Sequence, residues 1–324
     1  MQHREENMQQ HFCLSYFAGI GGFSLGAKAV NYATLGVEWI PELSEIYDKN
    51  VGDIVVADIA KLNPCSLDIP TLSDRHRNNT KLVWQISPPC QEFSVANTKR
   101  DITSIRANIL EACYSHVEVL QADVIILENV RGYRSAKVYK DFCDVLRILD
   151  YQVTDSIINA ADFGVPQSRD RLIMLAVKNG ESMPKLTPTL SQNNWIGWHE
   201  AVKDLLDTLH ESQLTANQQK VAKTNSIVQR VGYYNGKPNV REASKPCWTI
   251  RAHLADDGKG NGRNKFIDCI LENSEVRSLS VQALARLQSF PDDFQWTGVN
   301  SLDVRGIGNS VPPLLAQKIC EAIA

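Results

Sequence analysis

The stretch FCLSYFAGIGGFS, residues 12–24, decides the fold of this chain. Its first six residues are mostly apolar or aromatic, as expected of a buried strand. The glycines at 19, 21 and 22 then allow a tight turn, because glycine adopts backbone conformations that other residues avoid. A helix is predicted to begin near Phe23. A strand that passes through a glycine turn into a helix indicates an α/β protein with a ligand site at the helix N-terminus.

The alternation of short apolar runs and helical stretches continues to about Lys178. The runs are rich in Val and Ile, which is typical of strands buried on both faces. Residues 104–121 and 137–149 have helical spacing between them. The pattern predicts a doubly wound, mostly parallel sheet with helices on both faces and a ligand site beyond the carboxyl ends of the strands. The predicted strands are 12–17, 33–37, 54–57, 82–86, 123–127, 152–161 and 171–177.

The character of the sequence changes near Asn179, where a segment rich in Pro, Ser, Thr and Asn is typical of a linker. Beyond it, residues 216–265 hold ten Lys and Arg against three acidic residues, a net charge of +7, so the rest of the chain carries −3 minus +7, or −10. A basic block in an acidic protein indicates a phosphate-binding surface, but a solvated lysine-rich surface explains the charge equally well at this point. The block is predicted to form short strands and loops, and helices return at 280–289 and 312–323.

Composition excludes several classes of protein. The 324 residues are 43% hydrophobic and 22% charged, with no apolar run of membrane-spanning length and no signal-peptide core. A cytoplasmic globular protein without a membrane partner is therefore expected. None of the eight cysteines lies in a Cys-x-x-Cys pair and no His partner has zinc-ligand spacing, so neither a metal site nor a disulfide framework is predicted. Most of the cysteines are expected to be small buried hydrophobic residues.

Two acidic residues beside the glycine turn indicate a nucleoside-bearing cofactor. Glu38 closes the second predicted strand, where a carboxylate can accept hydrogen bonds from both ribose hydroxyls, and Asp58 follows the third, where it can accept from an adenine amino group. A dinucleotide fingerprint needs a third glycine at Ser24, so a nicotinamide oxidoreductase is disfavoured. For the glycines alone, a tight turn without a ligand is the alternative.

A candidate nucleophile follows the fourth predicted strand, in the segment Ser87-Pro88-Pro89-Cys90-Gln91. Two prolines fix the backbone ahead of Cys90, and a thiolate is a competent nucleophile where neighbouring charges or dipoles stabilise it. A lone cysteine is more often a buried structural thiol, but this one is predicted to lie beside the glycine turn. Glu128 ends the fifth predicted strand, which places it near Cys90 and makes it a candidate acid.

In their order along the chain, these segments resemble the motifs of the cytosine-C5 DNA methyltransferases, and the resemblance covers nearly the whole chain. Any one motif could arise by chance, whereas the ordered set is very specific. Ser87 departs from the pattern because the family usually has Gly there. The matching segments are FAGIGG (17–22), Glu38-Trp39, Asp58-Ile59, PPCQEFS (88–94), ENV (128–130), GVPQSRDR (164–171), RLQSFPDDF (286–294) and GNSVPPLLAQKI (308–319).

The resemblance implies a Rossmann-like methyltransferase fold with S-adenosylmethionine as the cofactor. Because the C-terminal motif would return to the cofactor site, the catalytic domain is expected to comprise residues 1–185 plus 305–324, with a target-recognition domain at 186–304. The residues implied to contact the cofactor are Phe17, Gly19, Gly21, Gly22, Glu38, Trp39, Asp58, Ile59, Pro88, Asn309 and Ser310. The residues implied to contact DNA are Gln91, Ser94, Lys99, Arg171, Arg230, Lys245, Thr249 and Arg251. With this family in view, DNA contact outweighs plain solvation as the interpretation of the basic block.

The implied reaction is methyl transfer to carbon 5 of a cytosine in a short, specific sequence of double-stranded DNA. Cys90 would add to carbon 6 as the thiolate, which makes carbon 5 nucleophilic enough to take the methyl group. A protonated Glu128 would stabilise the ring at N3, and Arg169 would help to hold the base and its developing charge. Carbon 6 is inaccessible in a stacked duplex, so the base must be flipped out.

Two other interpretations stay open on the sequence alone. One is a tRNA cytosine-C5 methyltransferase of the related branch, whose usual Cys-Phe-Thr signature has only Cys247-Trp248-Thr249 as its counterpart here. The other is a non-catalytic DNA-binding protein, which the intact Cys90, Glu128 and Gln-x-Arg-x-Arg segment argue against. For a methyltransferase, the compact recognition region and the lack of a preceding regulatory domain predict a prokaryotic or phage enzyme of the restriction-modification type. Such an enzyme is expected to be a monomer, paired with a cognate restriction endonuclease.

Overall fold

The large sheet follows the predicted apolar runs. The computed structural model describes residues 10–89, 108–229, 239–252 and 267–323. Up to residue 178 the strands are β1 (Phe12–Tyr16), β2 (Ala33–Glu38), β3 (Ile54–Val56), β4 (Leu82–Ile86), β5 (Val124–Asn129), β6 (Tyr151–Asn159), β7 (Gln167–Ser168) and β8 (Asp170–Lys178). Among the described residues, seven of these strands form one sheet in the order β3-β2-β1-β4-β5-β8-β6. Strands β1 to β5 are parallel to one another, and β8 is antiparallel to both β5 and β6. The predicted mostly parallel sheet is confirmed.

Helices cover both faces of this sheet, as predicted. One face packs Trp84 against Phe142 and Leu146 of α5 (Lys137–Ile148), and the other packs Ile126 against Phe23 of α1 (Gly22–Lys28) and Leu315 of α10 (Pro313–Ile323). The α5 side chains that face the sheet recur at helical spacing, which explains why this segment forms an amphipathic helix. The helices are α1 (Gly22–Lys28), α2 (Pro41–Asn50), α3 (Leu72–Asn78), α4 (Tyr114–Leu120), α5 (Lys137–Ile148), α6 (Trp198–Val202), α7 (Ala216–Gln219), α8 (Val281–Leu287), α9 (Asn300–Asn309) and α10 (Pro313–Ile323).

The C-terminal helix α10 packs directly on the first helix, α1. A Cβ atom on Gly26 would lie 2.3 Å from the Pro313 carbonyl oxygen and 2.6 Å from the Ala316 Cβ, so only glycine allows this approach. This contact returns the end of the chain to the first βα unit. It agrees with the expected discontinuous catalytic domain, whose boundaries at 185, 186, 304 and 305 stay a prediction.

A second, smaller sheet lies within residues 210–278. Its strands are antiparallel in the order β11 (Val240–Glu242), β10 (Ser226–Gln229), β13 (Ile267–Ile270), β14 (Val276–Ser278) and β9 (His210–Glu211). Trp198, Ile227, Leu284 and Phe290 belong to the core beneath it. The strands after residue 178 are β9 (His210–Glu211), β10 (Ser226–Gln229), β11 (Val240–Glu242), β12 (Cys247–Trp248), β13 (Ile267–Ile270) and β14 (Val276–Ser278). The short strand β12 belongs to neither sheet and pairs in parallel with β7, which joins the basic region to the segment just before β8.

Most of the described cysteines are buried in these cores, as predicted. Cys65 is exposed, whereas Cys13, Cys113, Cys143, Cys247, Cys269 and Cys320 are buried. Burial raises the pKa of the Cys247 and Cys320 thiols to about 12, so these thiols are protonated and unreactive near neutral pH. No helix in the described part of the chain combines the length and the apolar character that crossing a membrane requires.

Candidate active site

A cavity of about 330 Å³ opens where the parallel strands of the large sheet end. Its volume lies within the range of small-molecule sites, about 300–1,000 Å³. Nearly all of the cofactor residues expected from the sequence lie on its wall: Phe17, Gly19, Gly22, Glu38, Trp39, Asp58, Ile59, Pro88, Asn309 and Ser310. The elements of the fold therefore bring these residues together from both ends of the chain.

Gly21 differs from the other predicted cofactor residues because it lies behind the wall. Its φ angle is 92°, and a Cβ atom there would lie 2.4 Å from the Val51 side chain. Gly21 is also the residue that precedes the first turn of α1. Its conformational freedom therefore shapes the turn, while Gly19 and Gly22 line the cavity.

The Glu38 carboxylate organises the glycine turn. Its Oε2 accepts a hydrogen bond from the Gly19 amide at 2.9 Å, and its Oε1 accepts from the Trp39 and Ile40 amides at 3.0 Å each. A carboxylate has about four acceptor sites. Glu38 thus retains acceptor capacity at Oε2 for a ligand hydroxyl while it fixes the loop that surrounds the ligand.

The rest of this end of the cavity suits an adenosyl group. Asp58 lies at the end of the neighbouring strand, where its Oδ1 accepts from the Ala60 amide at 3.0 Å. Its side chain is 38% exposed, so it remains accessible to a ligand. Phe17, Trp39 and Ile59 add aromatic and apolar wall. Two carboxylates at successive strand ends, flanked by apolar surface, match the hydroxyls, amino group and flat ring of an adenosine.

Glu128 lies on the same wall, at the end of β5. Its Oε1 is 2.9 Å from Arg171 Nε, and its Oε2 accepts a hydrogen bond from Ser87 Oγ at 3.1 Å. The next residue, Asn129, donates from Nδ2 to the Pro88 carbonyl oxygen at 3.0 Å. These bonds hold the end of β5 against the Ser-Pro-Pro segment, as the sequence predicts. The predicted nucleophile Cys90, and with it Gln91, Ser94 and Lys99, lies outside the described residues.

The two arginines of the Gln-x-Arg-x-Arg segment have different surroundings. Arg169 is 1% exposed, and its guanidinium donates to the carbonyl oxygens of Ile250, Gly308 and Ser310 at 3.0–3.1 Å. Two of these carbonyls lie at the C-terminal end of α9, where the helix dipole favours a cation. Sequence reasoning groups Arg169 with the catalytic residues and Arg171 with the DNA contacts. The geometry pairs Arg171 with Glu128 and engages Arg169 with the backbone.

Gln167 and Gln288 extend the contacts of Arg169 into a buried polar network. Gln167 accepts from the Ile250 amide at 2.9 Å and donates to the Leu287 carbonyl at 3.2 Å and to Gln288. Gln288 donates in turn to the Ser310 carbonyl at 2.7 Å. The network joins four segments that are distant in sequence, and one of them, residues 308–310, lines the cavity.

Three of the DNA residues expected from the sequence, Lys245, Thr249 and Arg251, lie in one described segment, residues 239–252. Thr249 donates its hydroxyl to the Ser168 carbonyl at 3.0 Å, which uses the side chain to tie the basic region to β7. Lys245 is exposed and Arg251 is half-buried. Arg230 lies outside the described residues. Thr249 therefore has a structural contact, and the reading of bases by these residues stays a prediction.

Sequence reasoning missed Gln85, which lines the cavity, and Ser15, which donates a hydrogen bond to it. Both are 1% exposed. Each interrupts an otherwise apolar strand, FCLSY or LVWQI, and that interruption is the signal from which they could have been found. A buried polar residue in a central strand is expected mainly where a functional site requires it.

Comparison with known proteins assigns the chain to a family. The family model described as C-5 cytosine-specific DNA methylase matches residues 12–324. The chain is similar to the Type II methyltransferase M1.HphI of Haemophilus parahaemolyticus, at 30% identity over 96% of this chain and 87% of that protein. It is also similar to the Type II methyltransferase M.AplI of Arthrospira platensis, at 29% identity over 96% of this chain and 84% of that protein.

Solved structures share the fold. The Dnmt2 methyltransferase of S. pombe superposes with a TM-score of 0.69 at 17% identity, over 97% of this chain and 98% of that one. The methyltransferase EhMeth of Entamoeba histolytica gives 0.66 at 18% identity, over the same shares of the two chains. The family model covers residues 12–324, and with them the described sheets and the cavity. The chain therefore belongs to the C-5 cytosine-specific DNA methylase family.

Proposed function

We propose that this chain methylates a cytosine flipped out of a short, specific sequence of double-stranded DNA, through a covalent bond between Cys90 and carbon 6. As a member of its family, it is a DNA cytosine-C5 methyltransferase that uses S-adenosylmethionine. The observation that carries the finer proposal is that Glu128 and Arg171 share one cavity wall with Glu38 and Asp58. One cavity thus offers carboxylates for an adenosyl group and an ion pair for a pyrimidine.

The protein's residues would divide the chemistry as follows. S-adenosylmethionine supplies an electrophilic methyl group, whose bond to sulfur breaks with its electron pair left on the S-adenosylhomocysteine product. The Cys90 thiolate adds to carbon 6, and the electron pair released to carbon 5 forms the new bond to the methyl group. A base then removes the proton from carbon 5, and Cys90 leaves with the electrons of its bond to carbon 6. Asn129 holds Pro88 and so fixes the backbone two residues before Cys90.

Glu128 and Arg171 would bind the cytosine ring. Glu128 stabilises N3 while charge builds on the ring, and Arg171 is close enough to share that charge through its 2.9 Å contact with Glu128. We assign to Arg169 a positioning role, because its guanidinium holds the backbone of residues 308 and 310, which line the cavity. Arg169 lines the cavity as well, so its contact with the base stays a prediction.

The DNA would approach from the side of the small sheet. Exposed Lys245 and the basic block around it suit phosphate contacts, and Arg251 is our candidate for reading a base. Arg230, Gln91, Ser94 and Lys99 are proposed DNA contacts on the sequence resemblance alone. The Thr249 contact with Ser168 supports a framework role in which Thr249 orients the neighbouring Arg251.

We infer a restriction-modification setting from the relatives, which are named Type II methyltransferases. A cognate endonuclease that cuts the unmethylated sequence is then expected. One flipped base needs one active site, so we expect a monomer. Light scattering tests the monomer, and a stable dimer would contradict it. The pairing with an endonuclease is tested by asking whether DNA that this protein has methylated is protected from the cognate endonuclease.

The experiment that tests the function uses labelled S-adenosylmethionine, mixed-sequence duplex DNA and total tRNA with the native protein and Cys90→Ala. We expect transfer to carbon 5 of cytosine in DNA by the native protein and none by Cys90→Ala. Sequencing of the product then gives the target site. Transfer to tRNA alone would replace the DNA substrate, and equal transfer by both proteins would remove Cys90 from the mechanism.

A further inference from the structure

A line of buried hydrogen bonds runs from the centre of the large sheet to Glu128. Ser15 of β1 and Gln85 of β4 are direct partners in the parallel register, so their side chains share one face of the sheet. Ser15 donates its hydroxyl hydrogen to Gln85 Oε1. Gln85 Nε2 donates to Ser87 Oγ at 2.6 Å, and Ser87 Oγ donates to Glu128 Oε2 at 3.1 Å. The line ends on the residue proposed to bind the cytosine ring.

The bonds of this line all run in one direction. Ser87 has a single hydroxyl hydrogen, which it donates to Glu128 Oε2. The Ser87 oxygen then has to accept, which turns the NH₂ group of Gln85 towards it. The carbonyl oxygen of the same amide consequently faces Ser15. Each donor therefore points towards Glu128, and no member can rotate without leaving a buried polar group unsatisfied.

The carboxyl group of Glu128 needs this support because its terminal torsion is intrinsically soft. Torsions of this kind have broad minima, so an unsupported carboxyl plane rotates easily. Here Ser87, which follows β4, holds Oε2, and Arg171 of β8 holds Oε1 at 2.9 Å. Two partners, one on each carboxyl oxygen, fix the plane. A contact with a ring nitrogen requires an orientation held within about 10–20°.

We propose that Ser87, supported by Gln85 and Ser15, is a positioning residue that orients the Glu128 carboxyl group for the flipped cytosine. This inference rests on the proposed function of Glu128. Gln85 places a donor that needs an acceptor, and Gly at residue 87 would offer none.

The test compares Ser87→Ala, which removes the hydroxyl, with Ser87→Thr, which keeps it. We expect Ser87→Ala to slow single-turnover methyl transfer about tenfold or more, the effect of losing one hydrogen bond to a charged group. The KM values for DNA and S-adenosylmethionine should stay within about twofold, because ground-state binding does not use this bond. Ser87→Thr should restore most of the rate. Gln85→Met, which frees the Ser87 hydroxyl to rotate, should give an intermediate loss, and Ser15→Ala the smallest.

A second readout does not depend on methyl transfer. In protein labelled with ¹³C-glutamate, the infrared carboxylate band of Glu128 is obtained by subtracting the spectrum of Glu128→Gln. The band should shift in Ser87→Ala and stay in place in Ser87→Thr. An unshifted band with native rates in Ser87→Ala would overturn the proposal. Equal rate losses in Ser15→Ala and Ser87→Ala, with equally lowered melting temperatures, would also overturn it by indicating a purely structural role. If the native protein methylates no DNA, the proposed function fails while the infrared band still decides this inference.

Discussion

At the scale of single residues, substitution of Arg169 is expected to lower stability, whereas substitution of Arg171 is expected to slow methyl transfer. Arg169→Met removes the donor for three buried carbonyl oxygens, so we expect the free energy of unfolding to fall by about 2–4 kcal/mol.

Arg171→Lys keeps a cation beside Glu128 but loses the planar fork of the guanidinium group. The free energy of unfolding should therefore change by less than about 1 kcal/mol, while methyl transfer slows about tenfold. Urea unfolding and single-turnover kinetics measure the two quantities, and a stable Arg169→Met protein would contradict the assigned role.

The residues of the site show how far sequence reasoning reaches. Glu38, Asp58 and Glu128 were predictable because each follows a short apolar strand, and the ends of parallel strands meet at one edge of a sheet. The separate surroundings of Arg169 and Arg171 were not, because they depend on contacts with residues 250, 308 and 310, far away in sequence. Periodicity carries no information on such contacts.

At the scale of elements, the approach of α1 to α10 depends on one glycine. Gly26→Ala would set a Cβ atom 2.3 Å from the Pro313 carbonyl and 2.5 Å from the Gln317 amide nitrogen, both of them backbone atoms. Backbone atoms cannot swing aside, so the helices must separate, at a cost of about 1–3 kcal/mol in unfolding free energy. Urea unfolding measures this loss. Ala29→Ser, on the exposed side at the end of α1, is the matched control and should change stability by less than about 0.5 kcal/mol. Native stability of Gly26→Ala would show that α10 shifts without cost.

The elements themselves were largely predictable, and the exceptions have a physical cause. The strands of the large sheet agree with the apolar runs to within two residues at each end. The pairing of β8 with β5 in an antiparallel sense and of β12 with β7 was not visible in the sequence. Strand direction depends on the connections between strands, and β12 is only two residues long. Such a short strand has no pattern of its own.

At the scale of the whole molecule, stability is expected to fall as the pH drops from 7 to 5. Burial lowers the pKa of His116 below 6.5, and its Nδ1 lies 3.1 Å from the Tyr16 hydroxyl inside the core. Burial and the nearby Lys81 lower the pKa of His11 in the same direction. The unfolded chain therefore binds more protons than the native protein in this window, so stability is fully present above about 6.5 and is lost as the pH falls towards the native pKa values.

His116→Gln isolates this contribution. A neutral amide retains a hydrogen-bonding group beside Tyr16 but has no proton to take up, so the midpoint of urea unfolding should fall less between pH 7 and pH 5 than in the native protein. A smaller residual slope is expected from His11, whose pKa is also lowered. The carboxylates of Asp204 and Asp292, whose pKa values hydrogen bonds from Arg286 lower, titrate below this window and do not affect the comparison. Identical slopes for the two proteins would mean that His116 takes up its proton equally readily in the folded and unfolded chain, and that the buried Tyr16–His116 pair opens to solvent at mildly acidic pH.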